Sequence, residues 1–158
     1  MSADSTRIVT FRLGPDLFAA DIRSVERVLR YDAPRPLPEL PAWIDGVIEY
    51  SGRVVPVIDL RRRFGLAAEE VTSQTRLLVF SSAGEWVGAL VDAVIDVRAL
   101  HADEVSPPPA FFHGLAGEYL LGLTRSGDAL VVVLDVDRLL ASREPLALLS
   151  PVSVSPDA

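Results

Sequence analysis

The chain has two histidines, His101 and His113, and no cysteine. Thiol nucleophiles, thiolate zinc sites and disulfides are therefore excluded. His101 stands close to Asp103 and Glu104, the right residue types for a general base with an orienting acid. No nucleophile accompanies it, because hydrolysis would want a Gly-x-Ser-x-Gly elbow or its equivalent and none occurs. A metal site would have to join the two histidines to a carboxylate. Their spacing is not the i, i+4 of one helix face, and Pro107, Pro108 and Pro109 lie between them. Glycine-rich phosphate loops of either common pattern are absent. The expected catalytic, cofactor and metal residues are therefore none, with a small hydrolase or metal-dependent enzyme built on His101 and His113 as the minor alternative.

Binding chemistry is better supplied. Arg61-Arg62-Arg63 is the one dense basic run in an acidic chain. Such a run is ordinarily a solvated helix face. Its functional reading is that Arg61 and Arg62 pair with an acidic patch on a partner, which favours association rate over affinity. Val54-Val55-Pro56-Val57-Ile58 and Leu130-Val131-Val132-Val133-Leu134 are unbroken apolar runs of strand length. Burial on both faces is the first reading, and a groove for a partner helix is the second. Pro56 cannot donate to a ladder, so it points to an edge or bulge position.

Composition narrows the partners. The chain has 158 residues, a net charge of −7, 49% apolar and 23% charged residues, and a mean hydropathy of +0.31. That excludes a disordered chain and suits one ordinary domain or two very small ones. The acidic balance argues against nucleic acid and anionic membrane surfaces. All 15 basic residues are arginine. The first residues carry no apolar signal segment, and the uncharged stretches 105–117 and 145–156 are proline-broken and too short to span a bilayer. The expectation is a cytoplasmic protein with no direct membrane insertion.

The elements that must hold these residues repeat. Thr10-Phe11 through Ala20 lies on Val79-Phe80 through Ala89, 69 positions on, and the same offset places Ile22, Val25 and Val28 on Val91, Val94 and Val97. Gly46 through Asp59 resembles Gly122 through Asp135, 76 positions on, slipping to 75 at Ser51-Gly52 and Ser126-Gly127. Each half reads strand, turn, strand, short helix or strand, proline-rich loop, strand, Ser-Gly turn, strand, short helix. Ile22, Val25 and Val28-Leu29 recur at helical spacing behind Asp21 as a cap, whereas Leu90 to Val97 alternates like a strand. Asp59 and Asp135 are placed to cap short helices, and Gly65 to end one. The four prolines between Ala33 and Trp43 make an extended crossover loop. Short strands with this punctuation predict two small closed barrels rather than a sandwich. A barrel of about 70 residues is marginal alone, so the two should share an interface or exchange strands.

Seven stretches in order carry a family resemblance. Phe11-Arg-Leu-Gly-Pro-Asp-Leu-Phe-Ala-Ala-Asp-Ile-Arg-Ser-Val-Glu-Arg-Val28 opens it. Leu37 to Ile48 and then Gly52-Arg-Val-Val-Pro-Val-Ile-Asp-Leu-Arg-Arg-Arg-Phe-Gly65 form its centre, and Val91 to Val97, Pro107 to Pro109, Tyr119-Leu-Leu-Gly122 and Leu134 to Leu140 close it. Together these resemble the CheW-type chemotaxis adaptor (coupling protein) family over residues 8–141. The resemblance implies a mainly β fold of two tandem five-stranded SH3-like barrels, about 8–66 and about 67–141, with flexible tails at 1–7 and 145–158. It implies a non-enzymatic adaptor without cofactor, joining the regulatory domain of a CheA-type histidine kinase to the helices of a chemoreceptor's cytoplasmic tip. A groove near the barrel junction would take the receptor helix, and the barrel ends the kinase. By position, Val25, Gly46 and the hairpin Glu49, Ser51, Gly52, Arg53 fall in the coupling regions. In one respect the chain departs: the family commonly has Asn-Leu-Arg-Gly where this chain has Glu49-Tyr50-Ser51-Gly52, so a serine replaces a coupling arginine. Arg53 is the nearest cation to take its place. The alternative reading is a divergent scaffold or peptide-binding module serving another signalling array.

Overall fold

A computed structural model describes residues 5–41, 44–64, 66, 70–107 and 119–141. The expected tail at 145–158, Gly65, Pro108, Pro109 and His113 lie outside those residues. Among the described residues there are ten strands: β1 (Ser5–Leu13), β2 (Asp16–Asp21), β3 (Val25–Arg30), β4 (Ile44–Tyr50), β5 (Arg53–Asp59), β6 (Arg76–Ser82), β7 (Glu85–Val91), β8 (Ala93–His101), β9 (Leu120–Ser126) and β10 (Ala129–Leu134). Short helices α1 (Leu60–Arg63) and α2 (Val136–Ala141) follow β5 and β10. Residues 5–7, expected in a flexible tail, begin β1.

The strands form two five-stranded sheets, ordered β8-β1-β2-β10-β9 and β3-β6-β7-β5-β4. A division of the chain at residue 66 does not follow them. The β1 barrel takes two strands from the first half and three from the second, and the β6 barrel takes the reverse. Under the repeat, β3 corresponds to β8, and each crosses into the other half's sheet. The exchange of strands is reciprocal. Periodicity along a strand sets which face is buried but not which neighbour it pairs with, so the boundary was not readable from it.

The sequence repeat reappears as repeated backbone irregularities. Glu26 in β3 and Ile95 in β8 are the extra residues of bulges 69 positions apart. Asp45 in β4 and Leu121 in β9 are the extra residues of bulges 76 apart. The bulge at Glu26 also explains a mistaken expectation. It shifts the strand phase and so produces helix-like spacing at Ile22, Val25 and Val28. Only Ile22–Ser24 is helical, as one 3₁₀ turn capped by the Asp21 carboxylate, and the rest pairs with β6 as a strand.

Each barrel closes through the segment that leaves its exchanged strand. Arg35 exchanges two backbone hydrogen bonds with Val47 of β4, at 2.8 and 3.0 Å, and Ser106 does the same with Leu123 of β9, both at 2.8 Å. Glycine is required beside both closures. A Cβ on Gly46 would stand 2.6 Å from the Arg35 carbonyl oxygen, and one on Gly122 would collide with the Ser106 carbonyl and the Val105 side chain. The hairpin turns carry positive φ where their sequences allow it, at Ser51 and Gly52 between β4 and β5, and at Ala83 and Gly84 between β6 and β7. In the β9–β10 hairpin the turn residues are Gly127 and Asp128, one position later than the Ser126-Gly127 expected.

The largest apolar cluster lies between the barrels. Phe11, Phe18, Ile58, Leu78, Phe80, Tyr119, Leu134 and Leu139 all belong to it, so both sheets contribute to one core. Phe18 stacks on Phe11 and on Phe64 at 6.1 and 5.6 Å. Smaller clusters fill the barrel interiors, Ile8, Leu100, Val131 and Val133 in one and Val57, Leu77 and Leu90 in the other. The unbroken apolar runs follow from this arrangement. Val131 and Val133 face a barrel interior while Val132 and Leu134 face the shared core, and Val57 and Ile58 divide likewise. β5 is an interior strand and the bulge of its ladder with β4 lies at Asp45, so Pro56 holds neither the edge nor the bulge position expected of it. Pro56 stands one residue before the parallel pairing to β7 begins at Val57, so its missing N–H takes nothing from that ladder.

Candidate protein-binding surface

The residues singled out by the sequence fall into three places. Val25 opens β3, half-buried against the shared core, and Gly46 sits at the barrel closure. Gly46 is buried and Val25 half-buried, so neither is an exposed side chain of the surface. Glu49, Ser51, Gly52 and Arg53 are exposed on the β4–β5 hairpin, next to half-buried Pro56. Arg61 and Arg62 are the second and third residues of α1, and their fates differ.

Arg61 is buried. Its guanidinium spans the Asp59 carboxylate at 3.1 Å and the Asp92 carboxylate at 2.9 Å, and all three side chains are 7% exposed or less. Burial by itself would lower the Arg61 pKa. The hydrogen bond and charge of Asp59, with Asp92, outweigh it and hold the group above the ordinary arginine value, so it stays charged. Asp59 also caps α1 through the Arg61 backbone N–H, as its position suggested, and Asp135 accepts from the Arg138 backbone N–H at 3.0 Å. The other oxygen of Asp92 accepts the Gly14 backbone N–H at 2.6 Å, and the Asp92 N–H donates to the Arg12 carbonyl. Asp92 links β7 of one barrel to β8 of the other, so this network ties the two barrels together. Arg61 is thus an internal strut, and the expected partner-facing basic run loses its first member. Arg62 is exposed and lies 3.4 Å from Asp45, whose carboxyl is pushed above the usual range chiefly by burial.

At the hairpin tips a second cluster forms that sequence reasoning missed. The Arg53 guanidinium lies over the Trp86 ring, 3.8 Å from its centroid, and donates to the Gly84 carbonyl at 2.9 Å. Tyr50, paired with Arg53 across the hairpin, packs on Trp86 at 5.4 Å. A tryptophan as the second residue of a strand directly after a turn was the available signal, since its counterpart in the repeat, Leu17, has no aromatic ring.

Two grooves mark the barrels. One, of about 570 Å³, is lined by Leu29, Leu37, Val47, Ile48 and Val54, with Arg30, Asp32, Arg35 and Glu49 at its polar parts. Val54 is 64% exposed, and Leu77 and Leu29 link the groove to the interior of the β6 barrel. The other, of about 590 Å³, is lined by Thr6, Arg7, Asp21, Ile22, Arg23, Leu100 and His101. Asp32 and Ala33 in the first correspond to His101 and Ala102 in the second, 69 positions on, so both grooves adjoin the segment leaving an exchanged strand. Apolar floors with a few charged groups fit protein side chains better than a small polar substrate. His101 donates its backbone N–H to Glu104 at 2.8 Å in a local cap. Among the described residues no group of three or more His, Asp or Glu is placed to hold a metal ion.

Comparison with known proteins agrees with this architecture. The family model described as CheW-like domain matches residues 7–144. This chain belongs to the CheW-like domain family. It is 35% identical over 145 residues to "Chemotaxis protein CheW" of Klebsiella aerogenes, covering 92% of this chain and 87% of that one. It is 30% identical over 142 residues to the protein of the same name from Treponema pallidum, covering 87% and 84%. The crystal structure of the scaffolding protein TtCheW from Thermoanaerobacter tengcongensis superposes with a TM-score of 0.74 at 29% identity, covering 82% of this chain and 88% of that one. The mainly β fold is therefore the CheW-like pair of SH3-like barrels, and the chain is a non-enzymatic chemotaxis scaffold. Among the described residues no helix is long and apolar enough to cross a membrane.

Proposed function

We propose that this CheW-like chain is a cytoplasmic adaptor that couples chemoreceptors to a CheA-type histidine kinase. The observation that carries the reading is two barrels joined through one shared core, each with a groove of its own. The inter-barrel core and the Asp59–Arg61–Asp92 network fix the barrels to each other, and each barrel offers its own apolar groove with charged groups. An adaptor needs two surfaces at a fixed separation, and neither groove needs chemistry of its own. The kinase regulatory domain and the receptor tip helices are the partners, with Glu49, Ser51, Gly52, Arg53 and Arg62 on the contacting side. Val25, Gly46, Pro56 and Arg61 shape that side from within.

Titration of the purified chain with the regulatory domain of a CheA-type kinase from the same organism tests this. Saturable micromolar binding, weakened by salt, is the expected result. A folded chain that binds neither this domain nor a receptor tip fragment would overturn it. One observation favours a second reading, an adaptor of another signalling array. Ser51 occupies the hairpin tip where the resemblance implies an arginine, and its exposed side chain is short and neutral. Under that reading Ser51→Arg tightens binding to a typical kinase domain, and an unchanged dissociation constant removes it.

A further inference from the structure

The cluster at the hairpin tips has a property that barrel closure does not explain. The corresponding tips of the β1 barrel hold Leu17 in place of Trp86, Ser126 in place of Tyr50 and Ala129 in place of Arg53. Those hairpins form the same ladders, including the parallel pairing of β10 to β2, with no ring or cation at these three positions, and their nearest arginines, Arg12 and Arg125, reach the Gly14 and Asp128 carbonyls of their own turns. A stacked arginine is therefore not a requirement of the fold. In the β6 barrel it stands where β5 and β7 have parted, because their pairing covers only Val57 to Asp59 and leaves Arg53 to Pro56 beyond it. Arg53 fills that gap with its guanidinium flat on Trp86 and one N–H group on the Gly84 carbonyl. It remains exposed, and it is the one cation of the hairpin Glu49 to Val54.

We propose that Arg53 is the hairpin's anchor for a carboxylate on the kinase regulatory domain and that Trp86 is its positioning residue. The inference rests on the adaptor reading above. Arginine carries high rotamer entropy, and a ring that holds its plane removes much of that cost before binding. Tyrosine, tryptophan and arginine are also the residues in which binding energy concentrates. Glu49 and Glu85 flank the tips in sequence, so the site presents one oriented fork in a region of mixed sign. It fits a single partner carboxylate and not a broad acidic surface.

The experiment is a double-mutant cycle on the full chain, titrated with the regulatory domain at two salt concentrations. Trp86→Leu is chosen because leucine already occupies the matching position of the other barrel. Arg53→Ala weakens binding about tenfold, and Trp86→Leu about three- to tenfold, each flattening the salt dependence. The double variant is no weaker than Arg53→Ala alone, to within about twofold, and Trp86→Phe retains most of the affinity. Fully additive losses, or a Trp86→Leu chain that binds like the parent, overturn the positioning role. An Arg53→Ala chain that binds like the parent overturns the anchor. No binding of the regulatory domain by the folded parent chain overturns the kinase anchor, and failure to bind a receptor tip fragment as well overturns the adaptor reading itself, so the two failures are separable. Thermal unfolding of each variant is read alongside, and loss of affinity in step with loss of folded protein counts against the proposal.

Discussion

Arg61→Met removes the cation of the inter-barrel network while keeping an unbranched chain of similar length. Two carboxylates, Asp59 and Asp92, are then left 7% and 4% exposed without their counter-ion. Removing one partner of a buried ion pair typically costs about 3–5 kcal/mol. Here the lower end applies, because Asp59 keeps the backbone N–H of residue 61 and Asp92 keeps the Gly14 N–H. A loss of about 3 kcal/mol in a domain of this size lowers the unfolding midpoint by about 6–12 °C. Urea unfolding at neutral pH, followed by circular dichroism, measures the free energy directly. The control is the triple variant Arg61→Met, Asp59→Asn, Asp92→Asn, which removes the charges together and should regain most of the loss, since a whole ion cluster contributes little net stability. If Arg61→Met unfolds within about 0.5 kcal/mol of the parent, the network is not a strut and does not fix the barrels to each other.

Gly46→Ala and Gly122→Ala should each cost about 1–3 kcal/mol, because the obstruction is a backbone carbonyl that cannot turn aside; a cost below that range by urea unfolding would mean the closures are loose. Asp21 has its pKa lowered first by the hydrogen bond from the Arg23 side chain. A depressed carboxylate stabilises above its unfolded value and loses that contribution as pH falls through the folded one. Arg23→Gln should therefore be less stable than the parent at pH 7 and should converge with it at strongly acid pH, and a difference that grows on acidification would contradict the sign. Residues 71–74 are exposed between the halves, so a protease site placed there should give two fragments that still co-elute on gel filtration without denaturant, whereas separation would show that the exchanged strands do not hold the halves together.

Much of this was legible in the sequence, and the limits have physical causes. The offset of 76 paired Gly46 with Gly122 and Asp59 with Asp135, and those pairs are the two barrel closures and the two helix caps. Turn chemistry at Ser51-Gly52 and the apolar runs of β5 and β10 were also readable, since each is local. Arg61 was not. Its burial depends on Asp92, which lies 31 residues away and is brought close only by the crossing into β8. Trp86 and Arg53 meet for the same reason, across two hairpins joined by a parallel ladder. Site residues defined by long-range pairing stay hidden when the pairing partner of each strand is unknown.

The reciprocal exchange also sets the order in which the chain can fold during its own synthesis. When residue 66 leaves the ribosome, neither barrel has all its strands: one lacks β8, β9 and β10, and the other lacks β6 and β7. β2, among the first strands made, waits for β10, the last, which must insert between it and β9. Domains usually complete themselves from the N-terminus while the rest is still being made. In this chain the first finished sheet is the β6 barrel, available after residue 91, and the N-terminal pair of strands is held open until residue 134. The shared core can seal only once β10 and then α2, with Val136 and Leu139, have been added, so a ribosome stalled anywhere before β10 displays an apolar hairpin, Phe11 and Phe18 included, to whatever chaperone is at hand.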